Sequence, residues 1–527
     1  MANPGHRVAR PKIARPWCSI RASAAGPRGN TGASRRGSEG YRGKRQSGQG
    51  GRRPDCDSGR VQRGQQQPRR EQVAFQGVFP QDPLVAIIGG GLSGLVCSIE
   101  LAKKGVRSVV FDTGEHGVGG RLATRSLKDG SLPGADPSAA AAGAPLVFDH
   151  AAQYFTATDP DFCQLVEQWE ADGAVREWRG RVGHLRIGGS FTALDDSQPR
   201  FIAAGGMRSL AQYLAGRATR ALGQARENHR TESGSGTISG MVEVRRPQWV
   251  SDLIPVLDES AWRLMGKGRD QGLFDAVVIA HNGKCANRLT EPAGIPQVHG
   301  QLRRLKNSAN WALMVAFARP VPLLEPFEGA FVHDSSVLSW TANNTAKLGL
   351  RAESGGVECW TLLSTQEYGR SNKVPQESIP PEVRQRVTAD MLEDFARCLG
   401  LPGATALPPV IYSRAQLWGA ALPQTSPGVP CIWDPQGRVG VCGDWVAGGG
   451  SMQARPLAAA AMSGKALAER IAGMRGLMPS ETSHLAAGLT DPVRPIRGMD
   501  IGQFPSRSDA SGGTAKRSIA RQLAGAG

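Results

Sequence analysis

The residues best suited to chemistry near the start of the recognisable pattern are glycines followed by one acid. Gly89-Gly90-Gly91-Leu92-Ser93-Gly94 is a G-x-G-x-x-G turn, and Asp112 stands 23 residues after Gly89. In such a turn the first glycine makes the tight bend. The second, Gly91, lets backbone amides approach a pyrophosphate, and the third, Gly94, lets a helix close on a strand. An acid about 20 residues on accepts a ribose hydroxyl. No Lys or Arg directly follows Asp112, so a 2′-phosphate would meet no partner from that stretch.

The elements needed to position these residues are legible on either side. Leu84-Val85-Ala86-Ile87-Ile88 is a short apolar run of the kind that forms a buried parallel strand. Leu95 to Lys104 has helical spacing, with Gly105 as its stop, and its N-terminus would point free N–H groups at phosphate. Ser108-Val109-Val110-Phe111 is a second strand that delivers Asp112. Strand, turn, helix, strand and acid in this order predict a dinucleotide-binding βαβ unit.

Two further segments choose among dinucleotides. Gly117-Val118-Gly119-Gly120-Arg121, with Thr124 beyond, resembles the G-G-R-x-x-T element of the flavin-containing amine oxidase superfamily. There the arginine and the glycine amides close over the FAD pyrophosphate, a task suited to a planar guanidinium with five donors. At the far end, Val439-Gly440-Val441-Cys442 is strand-like and leads into Gly443-Asp444. A helical run then opens near Ser451, takes in Gln453, and continues through Gly464 to Ile471. This is similar to the closing motif of the same superfamily, in which the Asp meets a ribityl hydroxyl and the helix start stabilises charge at the flavin N1 edge.

Phe148-Asp149-His150-Ala151-Ala152-Gln153-Tyr154-Phe155-Thr156 resembles a box of renalase-like flavoproteins. Arg200-Phe201 through Gly205-Gly206-Met207 and Trp418 to Pro423 resemble two more, and Phe274 to Ala280 matches their strand returning to the cofactor domain. The continuation His281 to Arg288 is similar to plastid-type members from plants and algae. The resemblance implies an α/β chain: a Rossmann-type FAD-binding domain of amine-oxidase type, interleaved with a smaller α+β substrate domain on an antiparallel sheet. It implies non-covalent FAD held by Gly89, Gly91, Gly94, Asp112, Gly119, Gly120, Arg121, Gln153, Tyr154, Gly443, Asp444 and Gln453. The implied reaction is hydride transfer from a small substrate, a reduced nicotinamide isomer among the candidates, to flavin N5, with dioxygen or another acceptor reoxidising the flavin.

The pattern departs from the family in places. Ala151-Ala152 replaces the usual G-A pair, and Asp112 stands where many relatives carry Glu. Only five tyrosines occur, none in 440–460, which argues against the two-Tyr cage of ordinary amine oxidases. Amine or polyene oxidation stays the enzymatic alternative. Hydride transfer from an electron-rich ring requires no general base, so no catalytic residue is assigned; Lys347 and His150 are candidates. Trp340, Trp360 and Trp418 are candidates for an aromatic pocket wall.

Composition sets the remaining bounds. Of the formal net charge of +17, most sits in residues 1–82, where seventeen lysines and arginines face five acids; the rest of the chain sets 46 against 41. That arm is rich in Arg, Gly and Gln and poor in acids, a composition for a disordered transit peptide. The reading is chloroplast targeting, with the mitochondrion as alternative. An RNA-binding arm on a non-catalytic protein is the contrasting class, and nucleic acid is disfavoured because no base-reading module follows. Nine cysteines without a CxxC pair argue against structural zinc, a disulfide scaffold and a redox dithiol. No run is long and apolar enough for a membrane span. The expected organisation is an arm at 1–82; FAD domain at 83–160, 241–295 and 431–475; substrate domain at 161–240 and 296–430; and a disordered tail at 476–527. Residues 128–145 and 222–240 read as inserted loops.

Overall fold

In a computed structural model the chain is described for residues 71–127, 146–194, 198–218, 242–281, 283–447 and 456–496. The inserted loop at 128–145, Gln453, and the whole of the 222–240 connection lie outside them.

The first strand, Leu84–Ile88, is the centre of a six-stranded sheet because its β-branched side chains are buried on both faces. The order across the sheet is Ile432–Asp434, Val439–Val441, Ala276–Ile279, Leu84–Ile88, Arg107–Phe111 and Glu243–Arg245. Every pairing is parallel except the first, so the sheet is doubly wound with one antiparallel edge strand. Chain order reverses at the central strand, and ligands of open α/β sheets bind in the crevice beyond the strand ends at such a point.

Helices Leu92–Lys103 and Pro456–Gly473 pack together on one face, although 364 residues separate their starts in the sequence. They approach closely because Gly464 has no side chain: a Cβ there would lie 2.2 Å from the Ser93 carbonyl oxygen. The other face is covered by a three-stranded meander over Asp252–Phe274 and by helices Gly283–Thr290 and Pro296–Arg304. These bury Trp262, Phe274, Leu289 and Val298 against Val277, Ile279 and Val441.

The second sheet has seven strands, in the order Val410–Trp418, Asn310–Phe317, Glu358–Ser364, Leu338–Asn343, Gly329–His333, Val182–Arg186 and Phe191–Ala193. It is not wholly antiparallel as expected: Gly329–His333 runs parallel to Val182–Arg186. Alternation assigns its faces. Trp311, Leu313, Val315, Phe317, Trp360 and Leu362 pack on Val387, Met391 and Phe395 of the helix Pro381–Cys398. The intervening Ala312, Met314, Ala316, Trp340 and Ala342 turn the other way, toward Phe148 and Tyr154.

Three expectations are corrected. Order does not start at Pro83: Val73, Phe75 and Phe79 are already buried, with Phe75 edge-on to Trp262 and the Arg438 guanidinium against both phenylalanine rings. The two ends of the described chain meet, as Phe79 N–H donates to the Leu477 carbonyl and Gly476 N–H to that of Phe79. Nor does order stop at 475, since Ala487 exchanges backbone bonds with Trp433 and Arg494–Pro495 pairs with Thr425–Ser426. Finally, the segment 161–218 does not all join the second sheet. Helix Pro160–Ala171 and helical residues 207–218 pack on Leu92, Leu95 and Ile99 beside the first helix, and among the described residues of the segment only the strands Val182–Arg186 and Phe191–Ala193 cross over.

Candidate functional site

The turn after the first strand is built as its glycines require. Gly89 takes φ +120°, and its N–H donates to the Phe111 carbonyl at 2.8 Å. A Cβ at Gly94 would lie 2.1 Å from the Gly89 carbonyl oxygen and 3.1 Å from Ala280 Cβ, so the helix touches two strands there. Gly91 is the helix N-cap and differs from both: a Cβ on it would meet no atom within 4 Å. No side chain caps this helix and no acid stands in its first turn. Its first amides and positive dipole end therefore face open space, which suits a phosphate.

Gly119 and Gly120 lie against that turn. Gly119 N–H donates to the Gly90 carbonyl at 2.8 Å, and the two have φ of +134° and +52°. They launch Arg121, which reaches the opposite end of the chain. Its two terminal nitrogens fork onto both carboxylate oxygens of Asp444, and one also donates to the Ala421 carbonyl at 2.8 Å. Burial pulls the Arg121 guanidinium down, but the Asp444 carboxylate outweighs it, and the net direction is up. Gly443, at φ +153°, holds the turn before Asp444, and its N–H donates to Ser463 Oγ of the closing helix. The sequence reading gave Arg121 and Asp444 separate ligand contacts; the structure first pairs them with each other. Asp112 is likewise engaged, accepting from Gly90 N–H at 2.9 Å and Gly114 N–H at 2.7 Å. Its oxygens keep lone pairs for a ribose hydroxyl.

Below this lies a buried polar cluster that the motifs did not reveal as a unit. Lys347 Nζ contacts Asp149 Oδ2 at 2.7 Å, with both side chains fully buried. Asp149 Oδ1 accepts from Thr124 Oγ1 at 2.6 Å and Met207 N–H at 2.8 Å. Lys347 also donates to the Gln153 carbonyl, and Gln153 Nε2 returns to the Asp149 carbonyl. Three of the resembling boxes thus contribute atoms to a single network. A signal existed in the sequence, since Thr124, Asp149 and Met207 each stand in a box, but their convergence and the choice of Lys347 are tertiary facts.

Of the two candidate proton-transfer side chains, Lys347 is committed to this pair. His150 is different: its ring stacks on Trp418, with centroids 5.5 Å apart, and its carbonyl accepts from the indole N–H. The ring is buried, Nδ1 has no partner, and burial together with Arg125, Arg208 and Arg414 pushes its pKa down to about 4, against a smaller upward pull from Asp149. It is neutral at physiological pH. Tyr154 sits under Trp178 and Trp340, and burial raises its phenol. Of the three candidate wall tryptophans, Trp340 and Trp418 face this region. Trp360 does not: it packs on Phe395 and Phe327 under the helix-covered face.

The residues fit a flavin dinucleotide on two observations. The open flank of Gly91 offers room at an uncapped helix start. Beyond it, Gln153 Oε1, His150 Nδ1, Trp340 Nε1 and Trp445 Nε1 are buried without partners, and buried polar atoms normally have them. Among the described residues no cluster could hold a metal, and no helix is long and apolar enough to cross a membrane.

A family described as an NAD(P)-binding Rossmann-like domain matches residues 87–169. Solved structures similar to the chain include an oxidoreductase from Methanosarcina mazei, at 13% identity and TM-score 0.48, covering 73% of this chain and all of that one. Cyclohexylamine oxidase from Brevibacterium oxydans matches at 13% and 0.47, covering 74% and 99%. Putrescine oxidase bound to putrescine matches at 13% and 0.46 with the same coverage. Likeness this distant decides nothing about chemistry.

Proposed function

We propose that the chain is an FAD-dependent oxidoreductase of the flavin-containing amine oxidase superfamily, renalase-like in type. It binds the cofactor non-covalently in the crevice and oxidises a small substrate, a reduced nicotinamide isomer being the first candidate. The observation that carries this reading is the Arg121–Asp444 fork, which brings the early glycine turn and the late Gly-Asp turn to one place although 323 residues separate them. When bound, the flavin supplies the hydride-accepting centre, and dioxygen or another acceptor takes up the electrons.

The protein's own part is binding, orientation and exclusion of water. The uncapped helix start and Gly119-Gly120 receive the pyrophosphate, and Asp112 the ribose. Arg121 retains donors beyond those spent on Asp444, and Gln153 Oε1 waits as an acceptor. Trp340 and the stacked His150–Trp418 pair form apolar walls. Neutral His150 is a proton acceptor at Nδ1 for a substrate that releases one. Composition of residues 1–70 supports an organellar address, the plastid first.

The test is purification followed by absorbance. A yellow protein that releases intact FAD on denaturation and bleaches under nitrogen with a reduced nicotinamide isomer is expected. A colourless chain that takes up no FAD on reconstitution would overturn the assignment.

A further inference from the structure

Among the described residues, three arginines gathered near His150 have no counter-ion. Arg125 lies on the hairpin strand Thr124–Leu127, opposite Phe148 in the register. Arg414 lies on the edge strand Val410–Trp418, two residues beyond Tyr412, whose ring stacks on Phe148 at 5.5 Å. The two arginines therefore flank one aromatic pair. Arg208 follows Met207, and its amide donates to Thr124 Oγ1, one residue before Arg125. Among the described residues none of the three guanidinium groups makes a hydrogen bond or an ion pair.

Their charges act on one another. Arg208 and Arg414 are pushed down by burial first and by Arg125 next, with Arg384 adding to the pressure on Arg414. All three bear on the His150 ring. Among the described acids, Asp149 and Asp112 act on Arg208 through space but form no ion pair with it: Asp149 is bonded to Lys347, Thr124 and the Met207 amide, and Asp112 to two glycine amides. Solvated surface arginines would explain Arg414, which is exposed. They do not explain Arg208 Nε or His150 Nδ1, both buried without partners beside the group. Like charges gathered in partial burial repel unless an anion joins them. Three guanidinium groups against a neutral histidine match a phosphoryl group, which carries close to two negative charges, better than a single carboxylate.

We propose that Arg125, Arg208 and Arg414 form an anion subsite that holds a phosphoryl group of the substrate, placing the rest of that molecule along Tyr412 and the His150–Trp418 stack. The proposal rests on the oxidoreductase reading for what happens next in the crevice, but not for the anion itself.

The probe is inorganic pyrophosphate, titrated at low salt into the FAD-loaded full chain and followed by tryptophan and flavin fluorescence. A saturable change is expected, weakened roughly tenfold or more in Arg125→Gln and in Arg414→Gln, as loss of one charge-assisted bond predicts. Arg125→Lys should recover part of the affinity and checks that the fold survives. The same titration with acetate should give a much weaker response. No saturable response, equal affinity in Arg414→Gln, or acetate binding as well as pyrophosphate would overturn the subsite. Loss of FAD itself in the arginine variants would also overturn it, because the guanidinium groups would then serve the cofactor. If the chain takes up no FAD, the oxidoreductase reading fails, and the same titration on the FAD-free chain still decides the subsite.

Discussion

At the scale of single residues, neighbouring positions in the glycine turn make opposite predictions. Gly94→Ala drives a methyl into the Gly89 carbonyl and toward Ala280. We expect a loss of about 1–3 kcal/mol or more, read as a lower thermal midpoint with or without FAD. Gly91→Ala meets nothing in the protein, and its backbone is extended, which alanine accepts. It should leave the FAD-free chain within about 1 kcal/mol of wild type while sharply reducing FAD uptake. If Gly91→Ala bound FAD normally, the phosphate would lie elsewhere. His150 gives a pH prediction. Its folded pKa of about 4 lies below the unfolded value near 6.5. The unfolded chain therefore binds more protons between those values, and stability present above pH 6.5 is lost as pH falls through that window. The shift corresponds to about 3 kcal/mol. Denaturant midpoints of His150→Asn should be flatter from pH 6.5 to 4 than those of wild type.

Between elements, contacts across the crevice matter more than any helix or strand alone. The Lys347–Asp149 pair ties the short helix Asn344–Lys347 of the second sheet to the strand Leu146–Asp149. Lys347→Met leaves a buried carboxylate without its cation and should cost about 3–5 kcal/mol in chemical denaturation. The close approach of helices Leu92–Lys103 and Pro456–Gly473 makes a second case. Gly464→Leu must push them apart, since even a Cβ collides with the Ser93 carbonyl. FAD content should fall with stability, because one helix starts at the pyrophosphate turn and the other follows Asp444. A variant that kept full FAD content would show that the second helix does not set the site.

For the molecule as a whole, both ends of the described chain are structural. Removing residues 1–70 takes away most of the excess positive charge and none of the described core. FAD content and thermal midpoint should be unchanged. Starting the chain at residue 81 also removes Val73, Phe75 and Phe79, all buried. That should cost several kcal/mol by the usual price of emptied aromatic sites. A comparison of the two truncations by thermal melting checks where the fold begins.

What the sequence determined by itself was local. The strand–turn–helix–strand order, the acid at Asp112, the glycine pair before Arg121 and the Gly443-Asp444 turn are short-range patterns, and a single backbone conformation answers to each. It also marked Thr124, Asp149 and Met207, but only as members of separate boxes. Tertiary structure decided what meets what. It spent Arg121 on Asp444, enlisted Lys347 for Asp149, placed Trp360 behind the second sheet and left three arginines together with no ion pair among the described residues. It also extended the fold past both expected limits, where a few buried apolar residues in polar surroundings leave too weak a pattern to read. Pairings across hundreds of residues depend on packing that has no period, so they become legible only when the sheets are in place.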